Sequence, residues 1–220
     1  MPVRQLDDRS QHTVHRLEAF SDIVMGFCLA QLGLNLVLPR GGGDVASVWA
    51  SSTFFVGAFL FIALLWWFHH RMFSAYFVLN TPMIVMNFGV LCGLILTLYF
   101  FESFMHVVAA GQNPVVFFNV LVFSFAFVYA LLGAMLLVGL LMRRNDLPAA
   151  DLRWGIGQFV TIAISVTFFV AAGTYAALSA HRSWLGYSAI VAAATVFVIR
   201  RIIMPRWLRR AIPDPPVSSG

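Results

Sequence analysis

From Pro114 to Arg143 the chain reads PVVFFNVLVFSFAFVYALLGAMLLVGLLMR, with no charged side chain between its two ends. A helix crossing the hydrocarbon core of a bilayer, roughly 30 Å thick, needs about 20 mostly apolar residues. This run is long enough, and both flanks are punctuated: Gly111-Gln112-Asn113 precedes it, and Arg143-Arg144 closes it at the depth of the headgroups. Of the 220 residues, 60% are hydrophobic and only 10% charged, where a soluble domain carries nearer a quarter charged residues. The whole chain therefore needs the solvent that this one segment needs.

Applying the same rule outward gives five more spans, bounded by charge or by Gly, Pro and Asn. The first runs from about His15 to Leu38 and stops at Pro39-Arg40 and the glycines Gly41 to Gly43. The second covers about Ala46 to Phe73, and the third starts at Pro82, a residue suited to a first helical turn, and ends near Ala109. The fifth spans about Leu152 to Ala180 and the sixth about Trp184 to Met204. The expectation is an all-α integral membrane protein of six transmembrane helices. Residues 1–14 form a cytoplasmic N-terminal segment, 15–204 the membrane domain, and 205–220 a basic, disordered cytoplasmic tail. The apolar stretch after the N-terminus is too long for a signal-peptide core and has no A-x-A cleavage pattern, so the first span should be retained.

Orientation follows from arginine, the sole basic residue type apart from histidine, with fourteen copies and no lysine. Twelve fall on one side: Arg4, Arg9, Arg16, Arg71, Arg143, Arg144, Arg153, Arg200, Arg201, Arg206, Arg209 and Arg210; Arg40 and Arg182 fall on the other. The arginine-rich side is cytoplasmic by the positive-inside rule, which places both termini inside and requires an even number of spans. The net charge of +5 then serves orientation and anionic headgroups, and no nucleic-acid partner is expected. Arginine without lysine points to a GC-rich genome, and so to a bacterial plasma membrane. Trp49, Trp66, Trp67, Trp184 and Trp207 fall near span ends, as interfacial anchors do.

The first span is unusual for its polar residues. After Arg16 it reads Leu-Glu-Ala-Phe-Ser-Asp, and Gln31 and Asn35 interrupt the apolar run that follows. At 1.5 Å per residue Asp22 lies about 9 Å beyond Arg16, inside the membrane, where a charge is costly and is normally paired or faces water. It either packs against arginine and histidine partners or braces an ion path. The second span brings His69 and His70 inward to a similar depth, so an imidazole donating to the Asp22 carboxylate is the expected pairing. Adjacent residues point about 100° apart on a helix, so the two histidines are not expected to share a metal. Glu102, about 30 Å along the third helix from Pro82, should meet external water together with His106. Asn87, Asn119, Ser124, Thr161, Ser165 and Thr167 read as bonds between helices, and Cys28 and Cys92 as small buried hydrophobes.

Enzyme signatures are missing: there is no HExxH, GxSxG or phosphate-binding loop, and the TVGYG filter of ordinary potassium channels is also absent. The segment Arg16-Leu-Glu-Ala-Phe20-Ser21-Asp22 resembles the R-x-x-x-F-S-D signature on the first helix of the transmembrane protein 175 family of potassium-permeable channels. The run from Trp66 through His69-His70-Arg71 to Phe73 is similar to the end of that family's second helix, and Pro39 ends the first span where members commonly have proline. The resemblance implies a homotetramer of six-helix subunits, with four first helices around the pore and the signature residues, Arg16, Phe20, Ser21 and Asp22, with His69 and His70, bracing that helix. Carried over by position, it implies a hydrophobic constriction at Phe27 and Leu34, with Ala30, Gln31 and Leu38 lining the path. It implies no cofactor and no bound metal, only permeant K+ or other monovalent cations, and no partner beyond other copies and the bilayer. Phe27 replaces the family's usual Ile or Leu, and Ala30 its common hydroxyl residue. Rival readings are a proton-permeable channel or small secondary transporter using Asp22 with His69 and His70, an intramembrane enzyme on the same residues, and a non-conducting scaffold.

Overall fold

The computed structural model describes residues 8–34, 45–110 and 112–178. They form five helices: α1 (Asp8–Leu34), α2 (Val45–Tyr76), α3 (Thr81–Ala109), α4 (Val115–Arg143) and α5 (Ala149–Leu178). The shortest has 27 residues and the longest 32, about 40 and 48 Å of rise, so each exceeds the hydrocarbon thickness. All five are long and apolar enough to cross a membrane. In a bilayer a helix satisfies its backbone donors and acceptors within itself, and among the described residues there is no strand. The expected sixth span, Trp184–Met204, and the basic tail lie outside the described residues.

Sequence punctuation located most helix ends to within a few residues. The third helix starts where Pro82 predicts. Asn80 stands at its N-cap in extended conformation, and its side-chain oxygen accepts from the Met83 amide at 2.9 Å, satisfying one of the donors that a helix start leaves open. The main departure is α1, which starts at Asp8 instead of near His15. The polar segment DRSQHTV carries enough helix-compatible residues to extend the helix by about two turns.

The chain divides between Ser74 and Ala75 into two compact units. In the second unit α4 is central, packing against α3 on one side and α5 on the other. Small residues set these approaches, since packing at close range is what holds helices together where hydrophobicity does not. A methyl group added at Gly93 would lie 2.8 Å from Val128 Cγ2, and one at Gly133 would lie 2.9 Å from Ile162 Cγ2.

Tyr76 is the hub of the end where α4 joins α5. It is fully buried, donates its hydroxyl to the Asp151 carbonyl at 2.6 Å, and stacks on Trp154 with ring centroids 5.6 Å apart. Arg143 reaches the Ala75 carbonyl with Nη1 at 2.6 Å, supplying a donor to one of the carbonyls left open at the end of α2.

Two expectations are corrected here. The hydroxyls read as bonds between helices turn back on their own helix: Ser124 to the Leu121 carbonyl, Thr161 to Gly157, Ser165 to Thr161 and Thr167 to Ala163, all at 2.7–2.9 Å. A hydroxyl in hydrocarbon always finds a carbonyl within its own last turn, so it needs no neighbour. Cys92, read as buried, is exposed, whereas Cys28 is buried. Glu102 and His106 pair at 3.8 Å on an open surface, 39% and 59% exposed.

A methyl group at Gly139 would overlap the Tyr76 carbonyl oxygen, which is backbone and cannot swing away. Gly139→Ala is therefore expected to destabilise the protein by about 1–3 kcal/mol, the range for overpacking. Gly57→Ala, where the methyl meets nothing within 4 Å, should be neutral or mildly stabilising because alanine is the better helix former. Thermal unfolding midpoints of the two variants in detergent check this; equal midpoints would show that the Gly139 approach is loose.

Candidate functional site

The site predicted from sequence lies in the first unit, on α1 and the last three turns of α2. On α1, Ser21, Met25 and Cys28 are buried at 0%, 1% and 5% exposure. Ser21 donates its hydroxyl to the Leu17 carbonyl at 2.9 Å. The opposite face is open: Phe20 and Ile23 are exposed, and Phe27 and Leu34 are 73% and 81% exposed. Ala30 and Gln31 are exposed between them. At about 100° per residue, all six fall within an arc of roughly 100° on one side of the helix. Leu38 lies outside the described residues. Gly26 and Gly33 border this stripe, with nothing within 4 Å of a methyl group added at either.

On another flank of α1 two acids are held by α2. The Trp66 indole Nε1 donates to Asp22 Oδ1 at 2.8 Å. The same indole stacks on the His70 imidazole, with centroids 5.7 Å apart and planes 19° from parallel. His70 Nδ1 in turn lies 2.9 Å from Glu18 Oε1, and His15 Nδ1 lies 3.7 Å from Glu18 Oε2. Glu18 and Asp22 are four apart on α1, and Trp66 and His70 are four apart on α2. They pair in opposite order, the register that antiparallel helices impose on residues sharing one face.

This corrects the expected pairing of the histidines with Asp22. The Asp22 carboxylate takes an indole N–H, and His70 turns to Glu18 one helical turn nearer the start of α1. His69 is fully buried and packs its ring against Phe73, with centroids 4.7 Å apart. Arg16 is exposed on α1. Trp66, read as an interfacial anchor, is a structural donor. Glu18 was not singled out from the sequence, although the matched four-residue spacings Glu18/Asp22 and Trp66/His70 carry the signal. Among the described residues no group of three or more His, Cys, Asp or Glu side chains is arranged to hold a metal ion.

The arrangement fixes one side of α1 by hydrogen bonds and burial and leaves Phe27, Gln31 and Leu34 exposed on the other. Indole is a donor only, so the Asp22 contact orients the carboxylate and offers no site for a proton to move onward.

Comparison with known proteins bears on this same region. Residues 16–98, which include the signature of α1 and the whole histidine end of α2, match the model of the family described as the endosomal/lysosomal potassium channel TMEM175. The resemblance read from Arg16 to Asp22 is thereby shown over most of α1, all of α2 and much of α3. The fold is similar to that of a variant of the potassium channel MtTMEM175, crystallised in complex with a nanobody–MBP fusion protein. The TM-score is 0.59 and the identity 16%, over 89% of this chain and 92% of that one. At that identity the likeness is one of fold. No curated protein sequence matches significantly.

Trp66→Phe keeps the stacked ring and removes the donor. It is expected to cost about 1.5–2 kcal/mol, the lower part of the range for a hydrogen bond to a charged group, because the pair is partly open. Combined with Asp22→Asn in a double-mutant cycle, the two losses should be markedly less than additive. Thermal midpoints of the four proteins in detergent measure this, and full additivity would mean that the 2.8 Å contact contributes nothing.

Proposed function

We propose that the chain is a potassium-permeable cation channel of the transmembrane protein 175 type, a homotetramer in which four copies of α1 surround the pore. Phe27 and Leu34 form its hydrophobic constriction, with Ala30, Gln31 and Leu38 along the path and no TVGYG filter. The observation that carries this reading is the family match over residues 16–98, which spans the elements that build the site. The similarity in fold to a solved potassium channel supports it. So does the exposed stripe on α1, because a face destined for a central axis must be left uncovered by its own subunit. An apolar stripe would equally suit lipid; the family match supports reading it as the pore face.

The proposal also places six spans in a bacterial plasma membrane with both termini cytoplasmic, on the strength of the arginine distribution. Four subunits are invoked by the resemblance, and a closed ring is the economical way for so small a chain to enclose a path. A bulky ring at the narrowest point gates by excluding water. Phe27, about 16 Å along the helix from Arg16, stands close to the midplane.

The rival reading, a proton pathway through Asp22 with His69 or His70, is weakened by the pairing observed: an indole, not an imidazole, donates to Asp22, and His70 turns to Glu18. An enzyme on the same residues lacks a nucleophile, and the matched family is one of channels.

Ion flux from liposomes containing the purified protein, with K+, then Na+, then H+ as the sole permeant cation, tests the proposal. Potassium flux is expected, rising several-fold in Phe27→Ala as the constriction widens. Proton flux without metal-cation flux would transfer the assignment to the proton pathway, and no flux in either protein, with assembled oligomers confirmed, would remove channel function altogether. Asp22→Ala is expected to lower the yield of assembled protein while leaving the K+/Na+ preference of the remainder within about twofold of wild type, by analogy with bracing roles of buried membrane acids. A large change in preference at normal yield would instead place Asp22 on the ion path.

A further inference from the structure

We infer that Gln31 supplies the polar ring of the ion path: its carboxamide, one turn outward of Phe27, replaces part of a permeant cation's hydration and sets the ion preference. This rests on the channel reading above and assigns a role to a residue that the signature does not include.

Gln31 is exposed on α1, four residues after Phe27 and three before Leu34, both of which are strongly exposed. It lies about 22 Å along the helix from Arg16 and about 6 Å outward of Phe27, still inside a hydrocarbon core of roughly 30 Å. Among the described residues its amide has no hydrogen-bond partner. An unsatisfied carboxamide facing lipid at that depth is strongly disfavoured, so the face that bears Gln31 must meet water or another polar group. Phe27 and Leu34 share that face, and their apolar side chains alone give no such indication. The carboxamide is therefore the one chemical mark on the described stripe that sets it apart from a lipid-facing surface, and water access to it separates an ion path from a packed one.

The same geometry gives the chemistry. A ring of phenylalanines excludes water and gives nothing back to an ion. Ala30, beside Gln31, has no polar atom to offer. The glutamine oxygen is an acceptor with two lone pairs, and its NH2 group has two donors with which to bond a neighbour. In a ring of copies, amide donors directed sideways leave the oxygens free to face the axis. Such a ring is neutral, so it favours cations by dipole alone and discriminates among them modestly.

Two measurements test this. In a Cys92→Ser background, Gln31→Cys in liposomes should react with a membrane-impermeant methanethiosulfonate reagent, while the background protein, whose remaining Cys28 is buried, should not. In reversal-potential measurements, Gln31→Ala should change the K+/Na+ permeability ratio at least twofold and lower flux several-fold, and Gln31→Glu should raise cation over anion preference. The assembled fraction of each variant is checked by size exclusion. An unreactive Gln31→Cys, or a permeability ratio unchanged in Gln31→Ala, overturns the inference. If Phe27→Ala still raises potassium flux in that case, the channel reading survives alone. If no variant conducts, both fall.

Discussion

In hydrocarbon a polar group has no water to fall back on, and this constraint governs every feature of the molecule described above. Backbone amides are satisfied within helices, so five long helices form. Serine and threonine hydroxyls bond back to carbonyls of their own helix, which lets the α4 and α5 faces meet through glycine and aliphatic side chains. The ends of helices, where carbonyls and amides are left open, draw specific side chains: Asn80 at the start of α3, and Arg143 at the end of α2. The acids of α1 obey the same rule, since neither Glu18 nor Asp22 is left to the bilayer.

What the rule does to α1 is to make it two-sided. Burial of Ser21, Met25 and Cys28 fixes one face, and the Glu18–His70 and Asp22–Trp66 pairs fix the rotation of the helix about its axis. A helix held only by apolar packing can turn by tens of degrees at small cost, because one methyl contact replaces another. Two hydrogen-bonded pairs one turn apart, each with a single good geometry, remove that freedom. The rotation matters because it decides which residues form the open stripe: with α1 so clamped, Phe27, Gln31 and Leu34 share it.

Most of this was legible in the sequence at the level of elements. Charge-free runs and their punctuation by Pro82, Asn80 and Arg143 located the helices, because span length and end chemistry are local properties of the chain. The pairing of side chains was not legible in the same way. His69 and His70 stand at a depth where either could meet Asp22 or Glu18, and depth along a helix axis says nothing about rotation around it. The choice falls to Trp66, which occupies Asp22 and stacks on His70, and that depends on how two helices face each other. Likewise the hydroxyls of α4 and α5 have both a local and a distant way to be satisfied, and residue type alone does not decide between them. Cys92 was misplaced for a related reason: thiols suit a buried site and a lipid-facing one equally, and periodicity is weak in helices that are apolar all round.

The division of α1 also explains why its signature residues and its open stripe obey different rules. Arg16 to Asp22 combine charge, aromatic bulk and a hydroxyl, and Asp22 depends on a partner from α2: exchanging the Trp66 indole for another aromatic ring leaves the carboxylate without that donor. Among the described residues the stripe from Phe27 to Leu34 has no hydrogen-bond partner to satisfy, so Phe27 and Ala30 can differ from the residues usual in similar channels without disturbing the fold. Gln31 is the exception on that face. It is polar, uncovered and deep, and by the constraint that orders the rest of the molecule such a group persists only where something other than lipid meets it.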